Sequence, residues 1–141
     1  MRTIARIVAL AFAAASGGAL AQSATPTPVT PDNFVRAETD RYFTLFASRG
    51  GFGTFVHVRD LPLEGTGVRP NRDTLYSEGV FDLEAGPVTI SAPDAGDRFM
   101  SMLVIDEDHY AREVHYGPGA HTFSQDKVGA RYLFAAFRTL V

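Results

Sequence analysis

The stretch FMSMLVI, residues 99–105, has an apolar side chain at every position except Ser101. The stretch RYLFAAFRTLV, residues 131–141, also places bulky side chains on both faces of an extended chain. Short apolar runs of this kind predict strands, and the first run predicts a central strand that is covered on two sides. These two stretches therefore favour a β-rich domain.

The segments around these runs show a two-residue period. Apolar and other side chains alternate in residues 54–59, residues 74–83 form another candidate strand, and Val88 and Ile90 alternate with polar neighbours. Turn residues at 94–97 and 117–119 separate the segments. Six or seven short strands divided by turns predict an antiparallel β-sandwich or jelly roll.

One helix is predicted before the strands. Thr30 suits an N-cap, Pro31 suits the first helical position, and Gly50-Gly51 suits the end of a helix. Between them, apolar side chains recur at helical spacing at Phe34, Tyr42, Leu45 and Phe46. The pattern predicts an amphipathic helix over residues 31–49.

The first 21 residues have the features of an export signal. Arg2 and Arg6 precede an uncharged apolar run, and Ala19-Leu20-Ala21 matches a cleavage site. The run is about half the ~20 residues needed to cross a bilayer, and no later run is long enough. We expect a signal peptide at 1–21, a linker at 22–29 and one β-rich domain at 30–141 in a periplasmic or secreted bacterial protein with no membrane span after cleavage.

Composition excludes several classes of chemistry. The 141 residues include no cysteine, which removes thiol nucleophiles, iron–sulfur clusters and cysteine-bound zinc. Of the 13 basic residues only Lys127 is a lysine, and the formal net charge is −3, before the loss of Arg2 and Arg6 makes it more negative. No basic stripe indicates nucleic acid as a partner. No cofactor motif is present either, since the glycines at 50, 51 and 53 follow a helix and precede no lysine.

The end of the chain raises a further expectation. Val141 lies inside a strand-like run, so no turn or partner strand follows it. An apolar sheet edge that is left uncovered promotes association. We therefore expect either a natural chain that continues past Val141 or self-association through the C-terminal strand.

A family resemblance begins at PNRDTLYS, residues 70–77. It continues through residues 82–88, through 93–101, through VIDEDHY at 104–110, and into RTLV at 138–141. The chain resembles the domain of unknown function 1254 family over about residues 32–141. The resemblance implies a β-sandwich-like domain of exported or envelope-associated bacterial proteins. In such proteins it often precedes a second domain of unknown function, numbered 1214, which is absent here. Some members have hydrolase or carboxylesterase labels.

The family-like segment contains the first candidate site. Arginine offers a rigid fork of donors for a carboxylate or phosphate, an aspartate can hold that fork, and a tyrosine can donate to an oxyanion. Strand parity places Thr74, Tyr76 and Asp82 on one face. The alternative is structural, because an aspartate in such a turn also caps backbone N–H groups. The candidate ligand-binding residues are Asn71, Arg72, Asp73, Tyr76 and Asp82.

A second group is acidic and contains histidines. Carboxylates and imidazoles ligate metals, which makes Asp106, Asp108 and His109 weak candidates. In a strand, Asp106 and Asp108 face one side while Glu107 and His109 face the other, so the four cannot meet on one ion. An acidic turn is the alternative reading for this segment, which also includes Tyr110 and is followed by His115 and His121.

Nucleophilic hydrolysis has one candidate serine beside the family-like segment. Ser77 lies outside any G-x-S-x-G elbow, and a base is available only if His57 or His109 approaches it in space. Two hypotheses therefore remain open. In the first, the chain is an exported β domain that binds a small anionic or polar ligand or serves as an envelope structural module. In the second, it is an ester-type hydrolase that uses Arg72, Asp73, Tyr76 and a histidine.

Overall fold

A computed structural model of the chain describes residues 26–61 and 71–141. The expected signal peptide and residues 22–25 of the expected linker lie outside the described residues, and residues 26–29 are exposed and form neither helix nor strand. The elements are α1 (Phe34–Ser48), β1 (Val56–Val58), β2 (Thr74–Asp82), β3 (Val88–Ala92), β4 (Met100–Asp106), β5 (Ala111–Tyr116), β6 (Gly119–Phe123), α2 (Gln125–Val128) and β7 (Tyr132–Leu140).

The strands form two antiparallel sheets. The larger sheet has the order β1-β2-β7-β4-β5, and β3 pairs with β6 in a two-stranded sheet. The prediction of a mainly β, antiparallel, sandwich-like fold with one N-terminal helix is confirmed. The prediction that residues 99–105 form a central strand is confirmed as well, because β4 lies between β7 and β5.

The two faces of the larger sheet serve two separate cores, because side chains alternate along each strand. Phe81, Met102 and Leu133 face the smaller sheet and pack with Ile90 and Phe123. On the opposite face, Val80, Phe134 and Ala136 pack against Phe43 and Phe46 of α1. The larger sheet is therefore the middle layer between α1 and the β3–β6 pair.

The helix differs from its prediction in its start and in its buried face. It begins at Phe34 because the Asn33 side chain accepts a hydrogen bond from Thr30 N at 2.7 Å, which closes a turn ahead of the helix. The predicted apolar face was partly wrong, since Phe34 and Tyr42 are 54 % and 40 % exposed. The face of α1 that packs on the sheet is rotated by about one residue from the predicted apolar face. Thr39 and Phe43 are therefore buried instead.

The expectation of an uncovered C-terminal edge is wrong. β7 is the middle strand of the larger sheet, paired with β2 along its whole length and with β4. Its odd residues enter one core and its even residues the other, which explains why bulky side chains occur on both faces. The run at residues 131–141 thus provides no free edge for self-association.

Candidate functional site

Asn71 organises the start of β2. Its amide nitrogen donates to Thr74 Oγ1 at 2.7 Å and to Tyr76 Oη at 2.9 Å. Its side-chain oxygen accepts from Asp73 N at 2.8 Å, which is the turn that asparagine commonly makes with the backbone two residues on. Asn71 therefore holds the phenol of Tyr76 in place. Arg72 and Asp73 are exposed in the turn before the strand.

Asp82 lies at the other end of β2. It is six residues from Tyr76, which is about 20 Å along an extended strand. Its carboxylate accepts from Arg131 Nη2 at 2.7 Å and from Arg131 Nε at 3.0 Å. These hydrogen bonds lower the pKa of the Asp82 carboxyl. Of the five candidate residues, the structure brings Asn71 and Tyr76 together and places Asp82 too far away to share a small ligand with them.

Tyr76 also borders a cleft beside the edge strand β1, which we call the arginine cleft. Its volume is about 310 Å³. It is positioned by the pairing of β1 with β2, which sets His57 opposite Ser77 and Val58 opposite Tyr76. The residues that line it are His57, Val58, Arg59, Leu75, Tyr76, Ser77, Arg98 and Thr139.

The charges of the arginine cleft have one sign. Arg59 and Arg98 are exposed, and none of the eight lining residues is acidic. Within residues 26–61 and 71–141, no carboxylate pairs with either guanidinium. Arg138 is not a lining residue of the cleft, although its guanidinium lies 5.2 Å from the centre of the Tyr76 ring. The cleft is therefore a positive site on a chain with a net negative charge.

A histidine and a serine meet in this cleft. His57 Nδ1 lies 2.7 Å from Ser77 Oγ, so of the two histidines considered for Ser77 it is His57 that makes a hydrogen bond with it. Ser77 lies in the middle of β2, between β1 and β7, and not at a sharp turn. The pair has the spacing of a nucleophile and its base.

The acidic segment that follows β4 forms a turn held by internal hydrogen bonds. The fully buried carboxylate of Asp106 accepts from Asp108 N at 3.0 Å, from Tyr110 N at 2.9 Å and from the Arg112 guanidinium. Its oxygens are thus occupied by backbone and arginine donors. Asp106 is a structural residue of this turn.

The neighbouring side chains of that turn are also engaged. Glu107 accepts from Arg36 Nη2 at 2.6 Å and from Tyr132 N at 3.0 Å, and Asp108 accepts from Arg36 Nη1 at 3.0 Å. His109 makes a hydrogen bond with Thr39 on α1. The described part of the chain contains no group of three carboxylates or imidazoles arranged to hold a metal ion.

His115 and His121 lie elsewhere, on β5 and β6. Their ring centres are 3.7 Å apart, and His115 Nε2 contacts the carboxylate of Glu113 at 2.7 Å. Lys127 Nζ lies 2.7 Å from the same carboxylate, and its hydrogen bond lowers the pKa of Glu113. The two histidines therefore form a cluster separate from the acidic turn.

Sequence reasoning missed Arg59 and Arg98 as site residues. They lie 39 positions apart, in segments that contain no recognisable motif. Only the pairing of the strands brings the two residues to one cleft. Tyr76 was found because a tyrosine beside an arginine and an aspartate suggests oxyanion chemistry. No described helix has both the length and the apolar character needed to cross a bilayer.

The profile of the family described as "Protein of unknown function (DUF1254)" matches residues 52–136, more than half of the chain. The chain therefore belongs to this family, and the predicted resemblance is confirmed. The matched segment contains every lining residue of the arginine cleft except Thr139.

A solved structure supports the fold. The VPA0106 protein from Vibrio parahaemolyticus aligns with 76 % of this chain at 20 % sequence identity and a TM-score of 0.54. The alignment covers 30 % of that protein's chain, so the present chain spans less than a third of its length. At this identity the likeness concerns the fold alone. No curated protein matches the sequence.

Proposed function

We propose that this domain binds a small molecule through a carboxylate or phosphate group in the arginine cleft. One observation supports this proposal most directly: Arg59 and Arg98 line the same cleft, and none of the described residues that line it is acidic. Guanidinium groups offer paired donors that match the oxygens of a carboxylate or phosphate. The hydroxyl group of Ser77, another lining residue, adds a neutral hydrogen-bonding group at the same cleft.

The experiment is a binding titration with two anions, inorganic phosphate and succinate, at low ionic strength. We expect one of the two anions to bind saturably, and calorimetry measures its affinity. Because a hydrogen bond to a charged group contributes about 1.5–3 kcal/mol, replacing both arginines in Arg59→Ala/Arg98→Ala should weaken binding at least about tenfold. The anion that binds distinguishes a phosphate-bearing ligand from a carboxylate-bearing one.

Arg41→Ala is the matched control for the loss of a positive charge. Arg41 is exposed on α1, pairs with Glu38 at 2.7 Å and is not a lining residue of the cleft. Its replacement should leave anion affinity unchanged. Equal weakening by Arg41→Ala and by Arg98→Ala would show a non-specific charge effect and contradict the proposal. So would the absence of saturable binding of both anions to the unmodified chain.

A second candidate function is ester hydrolysis, which the 2.7 Å contact between His57 and Ser77 favours. In that reaction Ser77 Oγ attacks the ester carbonyl carbon and passes its proton to His57 Nδ1. The alcohol leaves with that proton, and water then releases the acid from the serine. The cleft arginines would hold the charged part of an anionic ester. Tyr76 lines the same cleft, whereas Arg72 and Asp73 stay in the preceding turn as further candidates for this chemistry.

A fluorophosphonate probe tests this candidate, because it labels an activated serine covalently. Labelling of the unmodified chain that is lost in both Ser77→Ala and His57→Ala would support a hydrolase. Ser91→Ala, at an exposed position of β3, serves as the control. Labelling that persists in Ser77→Ala, or its absence from the unmodified chain, would exclude Ser77 as the nucleophile.

We further propose that the protein is exported to the periplasm or beyond the cell, through the leader at residues 1–21. The support is the Arg2–Arg6 region, the apolar run and the Ala19-Leu20-Ala21 site. Mass spectrometry of the protein from cells of its host should find a chain that starts at Gln22. A chain that retains Met1 or Arg2 would contradict export by this route.

A further inference from the structure

A second cavity lies between α1 and the larger sheet, and we call it the helix cavity. Its volume is about 200 Å³. An apolar cavity of about 150 Å³ is enough for a benzene ring. Its lining residues are Thr39, Tyr42, Phe43, Phe46, Glu78, Ile105, His109 and Phe134. Four of these eight residues are phenylalanine or tyrosine, and the others include one carboxyl and one imidazole.

His109 is held on this wall in an uncommon backbone conformation. Its φ is 66°, the left-handed region that residues other than glycine seldom adopt. The surrounding turn maintains it, because His109 N donates to Asp106 O at 3.1 Å and the Asp106 carboxylate binds the N–H groups of Asp108 and Tyr110. A strained residue that its neighbours hold in place is a common feature of ligand sites.

The hydrogen bonds of Thr39 determine which nitrogen of His109 bears the proton. The Thr39 hydroxyl is fully buried and donates its single proton to Val35 O at 2.9 Å. His109 Nδ1, 3.0 Å from the same oxygen, must therefore be the donor in that contact. In the neutral ring Nε2 then has a free lone pair. His109 thus lines the helix cavity with Nδ1 bonded to Thr39, which leaves Nε2 as the acceptor of the ring.

Glu78 makes the helix cavity unsuitable for an anion. It is half-buried, and no described cation forms an ion pair with it. Burial raises the pKa of its carboxyl, an effect only partly offset by Arg49 and Arg138. An anionic ligand beside Glu78 would oppose ionisation of the carboxyl further and would be repelled by its ionised form, whereas a neutral ligand meets neither cost. The polar groups of the helix cavity therefore select a neutral molecule with a hydrogen to donate.

We propose that the helix cavity binds a small neutral aromatic alcohol. Its ring lies among Phe43, Phe46 and Phe134, and its hydroxyl donates to His109 Nε2. Successive side chains of a strand point to opposite faces, so Glu78 lies on the other face of β2 from Ser77 of the arginine cleft. The two sites have no lining residue in common. Binding in the helix cavity is therefore independent of the function proposed above.

The test compares phenol with toluene, which has a similar shape and no hydroxyl group. The unmodified chain should bind both, with chemical-shift changes at the rings of Phe43 and Phe46. In His109→Asn the ratio of the two association constants, phenol over toluene, should fall about tenfold while toluene affinity stays unchanged. Asparagine is chosen because it tolerates a positive φ. His57→Asn, in the arginine cleft, is the matched control and should leave the ratio unchanged.

Three results would overturn the proposal. The first is failure of the unmodified chain to bind either compound, and the second is an unchanged ratio in His109→Asn. The third is binding of benzoate as tight as that of phenol, which would contradict a neutral ligand. If His109→Asn does not fold, the ¹⁵N resonance of His109 Nε2 in the unmodified chain decides instead. It should show an unprotonated nitrogen that shifts on addition of phenol, and a protonated or unresponsive nitrogen would contradict the proposal.

Discussion

The carboxylate of Asp106 illustrates how this chain accommodates a buried charge at the level of one residue. Its side chain is 0 % exposed, and it accepts two backbone N–H groups and the Arg112 guanidinium. Removing one partner of a buried ion pair leaves the remaining polar groups without partners. Asp106 should therefore matter for stability far more than the exposed acids around it.

Replacing Asp106 with alanine should lower the free energy of unfolding by about 3 kcal/mol. This loss of stability is at the lower end of the range for a broken buried ion pair, because the Arg112 side chain is partly exposed and can be solvated after the substitution. Urea denaturation measures it. Asp40→Ala is the control, since Asp40 is exposed and its ion pair with Arg36 should contribute less than about 1 kcal/mol. Equal losses in the two variants would contradict this account of Asp106.

Glu78 gives stability a dependence on pH. Burial raises the pKa of its carboxyl above the unfolded value, so the folded state binds the proton more tightly than the unfolded state does. The contribution of Glu78 to stability is therefore greatest at acidic pH and falls as pH rises through the raised pKa. Glu78→Gln, which cannot ionise, should melt at a higher temperature than the unmodified chain at pH 7.

That advantage should disappear near pH 3, below the unfolded pKa of about 4.3, where Glu78 is protonated in both the folded and unfolded states of the unmodified chain. Melting curves at the two pH values measure the difference. Glu38→Gln on the exposed side of α1 is the control, and its change should have the opposite sign, because the hydrogen bond from Arg41 lowers the pKa of Glu38. An equal gain for Glu78→Gln at both pH values would contradict the role of burial.

At the scale of elements, β2 depends on a glycine at its centre. A Cβ at Gly79 would lie 2.5 Å from Thr54 O and 3.0 Å from the Phe81 ring. The chain before β1 comes close at this point, where Val80 N donates to Gly51 O at 2.7 Å. The backbone of the 51–54 segment and β2 can lie this close only because residue 79 has no side chain.

Gly79→Ala should therefore destabilise the domain by about 2–3 kcal/mol, since the backbone oxygen of Thr54 cannot move aside as a flexible side chain would. Chemical denaturation provides the value. Ser101→Ala, at a half-buried position of β4, should change stability by less than about 0.5 kcal/mol. A Gly79→Ala variant as stable as Ser101→Ala would show that the backbone before β1 can move away from the added Cβ at little cost, which would contradict this prediction.

The two-residue period in the sequence was enough to predict most of these elements. Residues 74–83 agree with β2, because the period follows directly from strand geometry, and the apolar run at residues 99–105 agrees with β4. The order of strands was not predictable in the same way. Residues 131–141 were expected to form an edge, whereas β7 pairs with β2 and β4, which precede it by about 30 to 60 residues. Such long-range pairings leave no local mark in the sequence.

The candidate sites also divide into features that the sequence predicted and features that only the fold creates. Asn71 and Tyr76 are neighbours in sequence and were recognised together. The arginine cleft also needs Arg59 and Arg98, which are brought there by the strand pairing of the larger sheet. The helix cavity depends on the turn around His109 meeting Thr39 of α1, 70 residues away. Chemistry carried by adjacent residues was therefore visible in the sequence, and chemistry assembled by the fold was not.

At the scale of the whole molecule, β7 is the strand that links the two cores. It is central in the larger sheet, with the smaller sheet over one face and α1 over the other. Amide hydrogen exchange should therefore be slowest for residues 133–137, and faster in the edge strands β1 and β5. Exchange in β7 as fast as in β5 would contradict the strand order and restore the expectation of an exposed C-terminal edge.

The central functional claim is that the arginine cleft holds an anion, and arginine side-chain NMR tests it most directly. The Nε–Hε resonances of Arg59 and Arg98 should shift and saturate as phosphate or succinate is added, while that of Arg41 stays in place. Small, equal and non-saturating shifts at all three arginines, or none at all, would contradict the claim.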